Sequence, residues 1–232
     1  MKKIKNFIVK EVVDLGSFFY KNTKYKTKEN PAKVNLGCGL QCLPGWINID
    51  GSLTALFGSK KFSFINKLLY KLAGSSEYYS FETYNKVIQK DGLKFYNLIK
   101  GVPVKSDSAD VIYCSHFLEH LNRNDGRFFL EECFRALKKG GLLRIAVPDL
   151  DFAFAMYERG EVEAMLGLFF YTSDDYSFTA HKHNYNFTYL KSILENLGFS
   201  SVVKLSYQQG ECPGIDYLDV YPDHSMYVEC KK

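Results

Sequence analysis

The chain has 232 residues, 46% hydrophobic and 16% aromatic, with a net charge of +4. That length and apolar content support one sizeable core and argue against disorder away from the ends. The charge is uneven: residues 1–30 carry eight lysines against Glu11, Asp14 and Glu29, a local +5, so the remainder is near −1 and no basic patch marks a nucleic-acid partner.

The basic N-terminal extension, residues 1–30, reads as a short amphipathic helix, either packed over the core or lying on a membrane surface or partner. Its apolar run is broken by Lys10, Glu11 and Asp14, and it has no clear cleavage site, so it reads poorly as a signal peptide. No apolar run is long enough to span a membrane. Six scattered cysteines without a secretory signal imply reduced thiols and a cytoplasmic protein.

Residues 31–232 read as one domain. AKVNLGC is a buried strand followed by a sharp turn, and GWINID is a second strand ending on Asp50. Residues 52–90 form a long, partly helical insertion. LKFYNL is a third strand and ADVIYCSH a fourth, continuously apolar as central parallel strands are. Phe128, Phe129, Cys133, Phe134 and Leu137 recur at helical spacing, with Gly140–Gly141 as the expected stop. LLRIAVPD is a fifth strand, residues 150–180 a lid-like excursion, and TYLKSILENLGF a helix with Asn186 or Thr188 as its cap. SSVVKLSY and HSMYVECK close the chain as an antiparallel pair. Alternating strands and helices make this a three-layer α/β fold. Both excursions leave strand ends at the carboxyl edge, where ligands bind in such sheets.

Gly37 and Gly39 stand where the first strand meets its turn, and Asp50 ends the next strand, where a carboxylate can accept both hydroxyls of a ribose. Asp50 follows Gly37 by only 13 residues, against about 20 in the dinucleotide fingerprint, and the third glycine is missing. Leu43-Pro44-Gly45 leaves no room for a full helix in the crossover. Cys38 and Cys42 lack the further ligands zinc needs.

The ordered set VNLGCG, LPGWINID, VPVKSDSADVIYCSHFLEHL, ECFRALKKGGLLRIAVPDL and HKHNYNFTYLKSILENLGF resembles the class I S-adenosylmethionine-dependent methyltransferases. The resemblance implies a Rossmann-like three-layer sandwich with a seven-stranded, mostly parallel sheet of order 3-2-1-4-5-7-6. It implies S-adenosylmethionine as cofactor. Gly37, Cys38 and Gly39 would line the amino-acid and ribose parts, Asp50 the ribose hydroxyls, Asn97 and Leu98 the adenine, and Cys114 and Ser115 the methionine part. At the position of Asn97 the family commonly has aspartate. A cofactor without phosphate agrees with the absence of a phosphate-binding glycine loop and lysine.

For transfer to a hydroxyl, a base is needed, and His116 and His183 are the candidates. His181, Asp149 and Tyr185 are candidate acceptor contacts, and Asp174 and Asp175 could face the acceptor or water. Glu119 and His120 read as local supports of the loop. Some related quinone O-methyltransferases hold a divalent metal on an E-x-x-E-H stretch, but His116 occupies its first position here, so no metal is expected. Arg135, beside Glu131 and Glu132, and Arg144 read as structural. The acceptor expected is a small hydroxylated molecule, such as a sugar, a polysaccharide precursor or another metabolite. The alternative is a non-catalytic binding or scaffold domain that retains the fold. Oligomeric state is not legible.

Overall fold

The computed structural model describes residues 2–58, 63–72, 75–77, 79–90, 92–171 and 180–232. The elements run α1 (Lys2–Tyr20), β1 (Lys33–Leu36), β2 (Trp46–Asp50), α2 (Leu53–Phe57), α3 (Ser63–Leu72), α4 (Phe81–Lys90), β3 (Lys94–Phe95), β4 (Ala109–Ser115) and α5 (Arg123–Ala136). They continue with β5 (Leu137–Pro148), α6 (Leu150–Glu158), α7 (Val162–Phe170), α8 (Phe187–Asn196), β6 (Ser200–Leu205), α9 (Ile215–Leu218) and β7 (Ser225–Lys231). The sheet has seven strands in the order β3-β2-β1-β4-β5-β7-β6, as expected. β7 runs antiparallel to both its neighbours, β5 and β6, and the other pairings are parallel.

Strand alternation divides the core between two faces. Val34, Leu36, Ile112, Cys114, Leu143 and Ile145 pack with Phe129, Leu130 and Cys133 of α5 and Leu190 and Leu194 of α8. On the opposite face Trp46, Val111, Tyr113 and Leu142 pack with Cys212 and with Leu218 of α9.

The crossover from β1 to β2 has no helix, and two buried asparagines hold it instead. Asn35 donates to Gln41 O at 2.7 Å, while Asn48 accepts from Leu43 N and donates to Leu43 O at 3.2 and 3.0 Å. These side chains satisfy backbone groups that a helix would have paired internally. Register then brings the functional segments together. Leu36 lies opposite both Ile49 and Cys114, so Gly37 follows level with Asp50 on one side and Ser115 on the other.

α1 packs over the sheet end. Val13 and Ser17 are buried, Gly16 faces Leu56 and Phe95, and the Tyr20 ring stands 5.3 Å from that of Phe95. Leu15, Phe18 and Phe19 remain exposed on it. Among the described residues no helix is long and apolar enough to cross a membrane.

One expected boundary is corrected. α5 does not run to Gly140–Gly141 but ends at Ala136, because Leu137 already pairs with Ala109 as the first residue of β5. Both glycines lie inside that strand. Gly140 (φ +77°) donates to Lys232 O, and a Cβ on Gly141 would meet Lys138 O at 2.9 Å. The predicted third strand is also shorter than LKFYNL, because Asn97 leaves it to cap a 3₁₀ turn.

Arg144, in the middle of β5, is fully buried. It donates to Asp219 through Nε at 3.1 Å and to Glu229 and Gln209 O through one terminal nitrogen at 2.9 Å. Glu229 also accepts from Glu211 N and Cys212 N, and Asp219 from Tyr113 and Gln208 N, so the cluster pins the chain between β6 and β7 onto the sheet. Arg135, as expected, pairs with Glu132, which also accepts from Val102 N. Arg144→Met should destabilise the fold by about 3–5 kcal/mol in urea unfolding, because it strands two buried carboxylates. A loss below about 1 kcal/mol would mean the cluster is solvated.

Candidate functional site

The first part of the site is the turn after β1. Gly37 and Gly39 have φ of +67° and +51°, a region that disfavours side chains. Gly37 N and Cys38 N both donate to Ile49 O, at 2.9 and 3.2 Å, which folds the turn against β2. A Cβ on Gly37 would lie 2.6 Å from the Phe117 ring, whereas one on Gly39 would meet nothing within 4 Å. The backbone is thus closed by an aromatic ring at Gly37 and open at Gly39. Asp50 accepts from Gly39 N through Oδ2 at 3.0 Å and from Ser52 N through Oδ1 at 2.8 Å. Each oxygen keeps a further lone pair.

The second part is the turn after β4. His116 has φ +47°, an uncommon conformation for a non-glycine residue and one that clusters at functional sites. Its Nε2 lies 2.8 Å from Ser225 Oγ and its Nδ1 3.2 Å from Glu119 Oε1, and the ring meets Tyr221 edge-on at 4.6 Å. Glu119 is 1% exposed. Burial pushes its carboxyl up, but His116 and His120 outweigh that and hold it below the usual range.

The third part is the segment returning from the α6–α7 excursion. Lys182 N and His183 N both donate to Glu119 O, at 2.8 and 3.2 Å, docking this segment on the Glu119 turn. His181 Nδ1 lies 2.9 Å from Leu168 O, and its ring stacks on Tyr171 at 5.3 Å. His183 Nε2 lies 3.1 Å from Tyr189 Oη, with the ring edge-on to Tyr185. Burial lowers the pKa of both His181 and His183, so both favour the neutral form. Asn186 caps α8 through Tyr189 N.

Sheet register and loop docking therefore bring Gly37, Gly39, Asp50, Ser115, His116 and His181 to one edge of the fold. Asn97 lies beside them, its Cα 3.9 Å from where a Cβ on Gly51 would stand, and its side chain caps Ile99 N. Other predicted residues turn inward. Leu98 and Cys114 are core residues, and burial raises the Cys114 thiol well above its ordinary value. Cys38 directs its sulfur to Cys42 at 3.8 Å, in a cluster with Val87 of α4. Tyr185 is buried against Gly126 and stacked on Tyr189. Asp149 caps α6 through Asp151 N and pairs with Lys204 at 2.7 Å. Asp174 and Asp175 lie outside the described residues. Glu119 is the organising side chain that sequence reasoning treated as a support, and the LEH triplet was its signal. Ser225 and Tyr221 had no sequence signal. A recess of about 420 Å³ lined by Phe81, Glu82, Asn85, Lys86 and Gln89 lies on the outer side of α4, away from the face that packs on Cys38.

Residues 76–145, from the 3₁₀ turn before α4 into β5, match the family described as a methyltransferase domain. The strand order β3-β2-β1-β4-β5-β7-β6, with β7 antiparallel, is the Rossmann-like arrangement that the resemblance to class I S-adenosylmethionine-dependent methyltransferases implied. Similar solved structures include an S-adenosylmethionine-dependent methyltransferase from Thermotoga maritima, described as a possible histamine N-methyltransferase. It is 15% identical, with full coverage of both chains and a TM-score of 0.47. A methyltransferase from Archaeoglobus fulgidus is 16% identical, covering 98% of this chain and 94% of its own, with a TM-score of 0.45. No curated protein matches the chain.

The residues present fit S-adenosylmethionine: a backbone turn left open at Gly39 and a carboxylate with spare lone pairs. The Gly37–Phe117 contact also bears on stability. Gly37→Ala should cost about 2–4 kcal/mol in chemical denaturation, from the left-handed backbone and the overpacked ring together. Combining it with Phe117→Ala should recover at least about 1 kcal/mol of coupling. Simple additivity would show that the ring does not constrain the turn.

Proposed function

We propose that the protein is an S-adenosylmethionine-dependent methyltransferase that acts on a hydroxyl oxygen of a small acceptor such as a sugar, a polysaccharide precursor or another metabolite. The observation that carries this reading is the His116–Glu119 pair at the carboxyl end of β4, one residue from the ring that covers Gly37. When bound, S-adenosylmethionine supplies the activated methyl group. Asp50 holds its ribose hydroxyls with the lone pairs that Gly39 N and Ser52 N leave free. Gly37, Cys38 and Gly39 approach through backbone, as does Leu98 beside Asn97, while Ser115 and the main chain of Cys114 meet the methionine part.

His116 Nδ1 faces the Glu119 carboxylate, which places the proton on Nδ1 and the lone pair on Nε2. The Ser225 hydroxyl occupies the position from which an acceptor hydroxyl would give its proton to Nε2. Glu119 stabilises the imidazolium that results. His183, neutral through burial, is the second base candidate on the facing segment, with His181, Tyr185 and Asp149 ordering that wall. Six buried, free cysteines support assignment to a reducing, cytoplasmic compartment.

The test is release of S-adenosylhomocysteine across a panel of hydroxylated acceptors. On an accepted substrate, His116→Ala should lower kcat by about 10²–10⁴-fold while leaving S-adenosylhomocysteine affinity within about threefold. An unchanged kcat removes His116 as the base. In calorimetry Asp50→Ala should weaken S-adenosylhomocysteine binding by about 10–100-fold, the worth of charged hydrogen bonds. Unchanged affinity would take Asp50 out of the ribose role.

A further inference from the structure

Glu119 presents a problem that the methyl-transfer reading does not resolve. Its carboxylate is buried, yet beyond a contact with His116 neither oxygen has a hydrogen-bond partner among the described residues. His116 Nδ1 approaches Oε1 at 3.2 Å, which leaves Oε2 unserved. A buried carboxylate is retained only when paired, hydrogen-bonded or bound to a cation.

Two imidazoles stand beside it. One donor atom each from Glu119, His120 and His181 lies within 4.8 Å of the others, and His181 Nε2 is 4.0 Å from Glu119 Oε1. His120 Nδ1 lies 3.3 Å from Ala180 O and His181 Nδ1 2.9 Å from Leu168 O. A carbonyl only accepts, so both rings carry their proton on Nδ1 and leave a lone pair on Nε2. A ring anchored in this way, with its other nitrogen free, is how proteins orient histidine for metal. The arrangement is preorganised, because the backbone bonds from Lys182 and His183 to Glu119 O hold the two chain segments together without any ion.

We propose that Glu119, His120 and His181 bind a divalent cation of the zinc class. Two imidazoles and one carboxylate suit zinc and its late first-row neighbours, and leave a fourth position open. Bonds of about 2.0–2.2 Å set tetrahedral ligand atoms about 3.4 Å apart, so binding draws the three donors inward by about 1.4 Å at most. Side-chain rotation supplies a movement of that size. The ion neutralises Glu119 and clamps the segment at His181 onto the turn after β4. This reverses the expectation drawn from His116 at the head of the H-x-x-E-H stretch: the third ligand comes from 61 residues further along the chain, outside that stretch.

The test uses the untagged full chain, stripped with chelator, with metal alone and neither cofactor nor acceptor. Its outcome is therefore separate from that of the methyl-transfer reading. Zinc should bind with one-to-one stoichiometry in calorimetry and raise the melting temperature. Cobalt(II) should give visible d–d absorption of a four- or five-coordinate site. His181→Ala should weaken zinc binding at least about 100-fold, beyond the usual loss from a supporting residue. His120→Ala, on a less buried ring, should do the same and keeps the test valid if His181→Ala fails to fold. His183→Ala, whose Nε2 is engaged by Tyr189, should bind as the wild type does. Absence of one-to-one zinc and cobalt binding, or undiminished binding in His120→Ala, would overturn the proposal.

Discussion

The packing of Phe117 onto Gly37 is the constraint on which the site depends. It needs a residue without Cβ at the end of β1 and a chain at the end of β4 that turns its next ring inward. The first condition gives the turn its left-handed backbone. The second accompanies the left-handed conformation of His116, one residue earlier, which directs the imidazole toward Glu119 and Ser225. One contact thus couples the cofactor side of the edge to the acceptor side. A change at either residue is felt at both.

The fold buries charge in two different ways. Around Arg144 every charged group is matched: the guanidinium serves two carboxylates, which also accept from backbone N–H groups and the Tyr113 hydroxyl. Such a cluster is closed and serves to hold the segment from Gln208 to Asp219 in place. Around Glu119 the balance is incomplete, with three imidazoles near one carboxylate and one oxygen left over. The difference in satisfaction separates a structural charge from one placed for chemistry.

Much of the architecture was legible in the chain itself. Continuous apolar runs marked β4 and the centre of β5, and the short interval from Gly37 to Asp50 announced a crossover without a helix. The end of α5 was not legible, because glycine pairs ordinarily stop helices and here the pairing of Leu137 with Ala109 intervened first. The direction of side chains in the site was equally hidden. Cys38, Leu98 and Cys114 sit at the right positions along the chain, but their side chains belong to the core, so any contact they make with a ligand is through backbone or by adjacency.

What the sequence by itself determined was local: where strands end, which turns demand glycine, and that an aspartate, a histidine and an LEH triplet fall at strand termini. These follow from periodicity and backbone sterics, which act over a few residues. What only the tertiary structure decided was the meeting of Glu119 with His181 and of His116 with Ser225. Those partners are 62 and 109 residues apart, and no local rule selects them. They meet because the return segment docks on the Glu119 carbonyl and because β7 runs antiparallel beside β5, bringing Ser225 opposite Pro148.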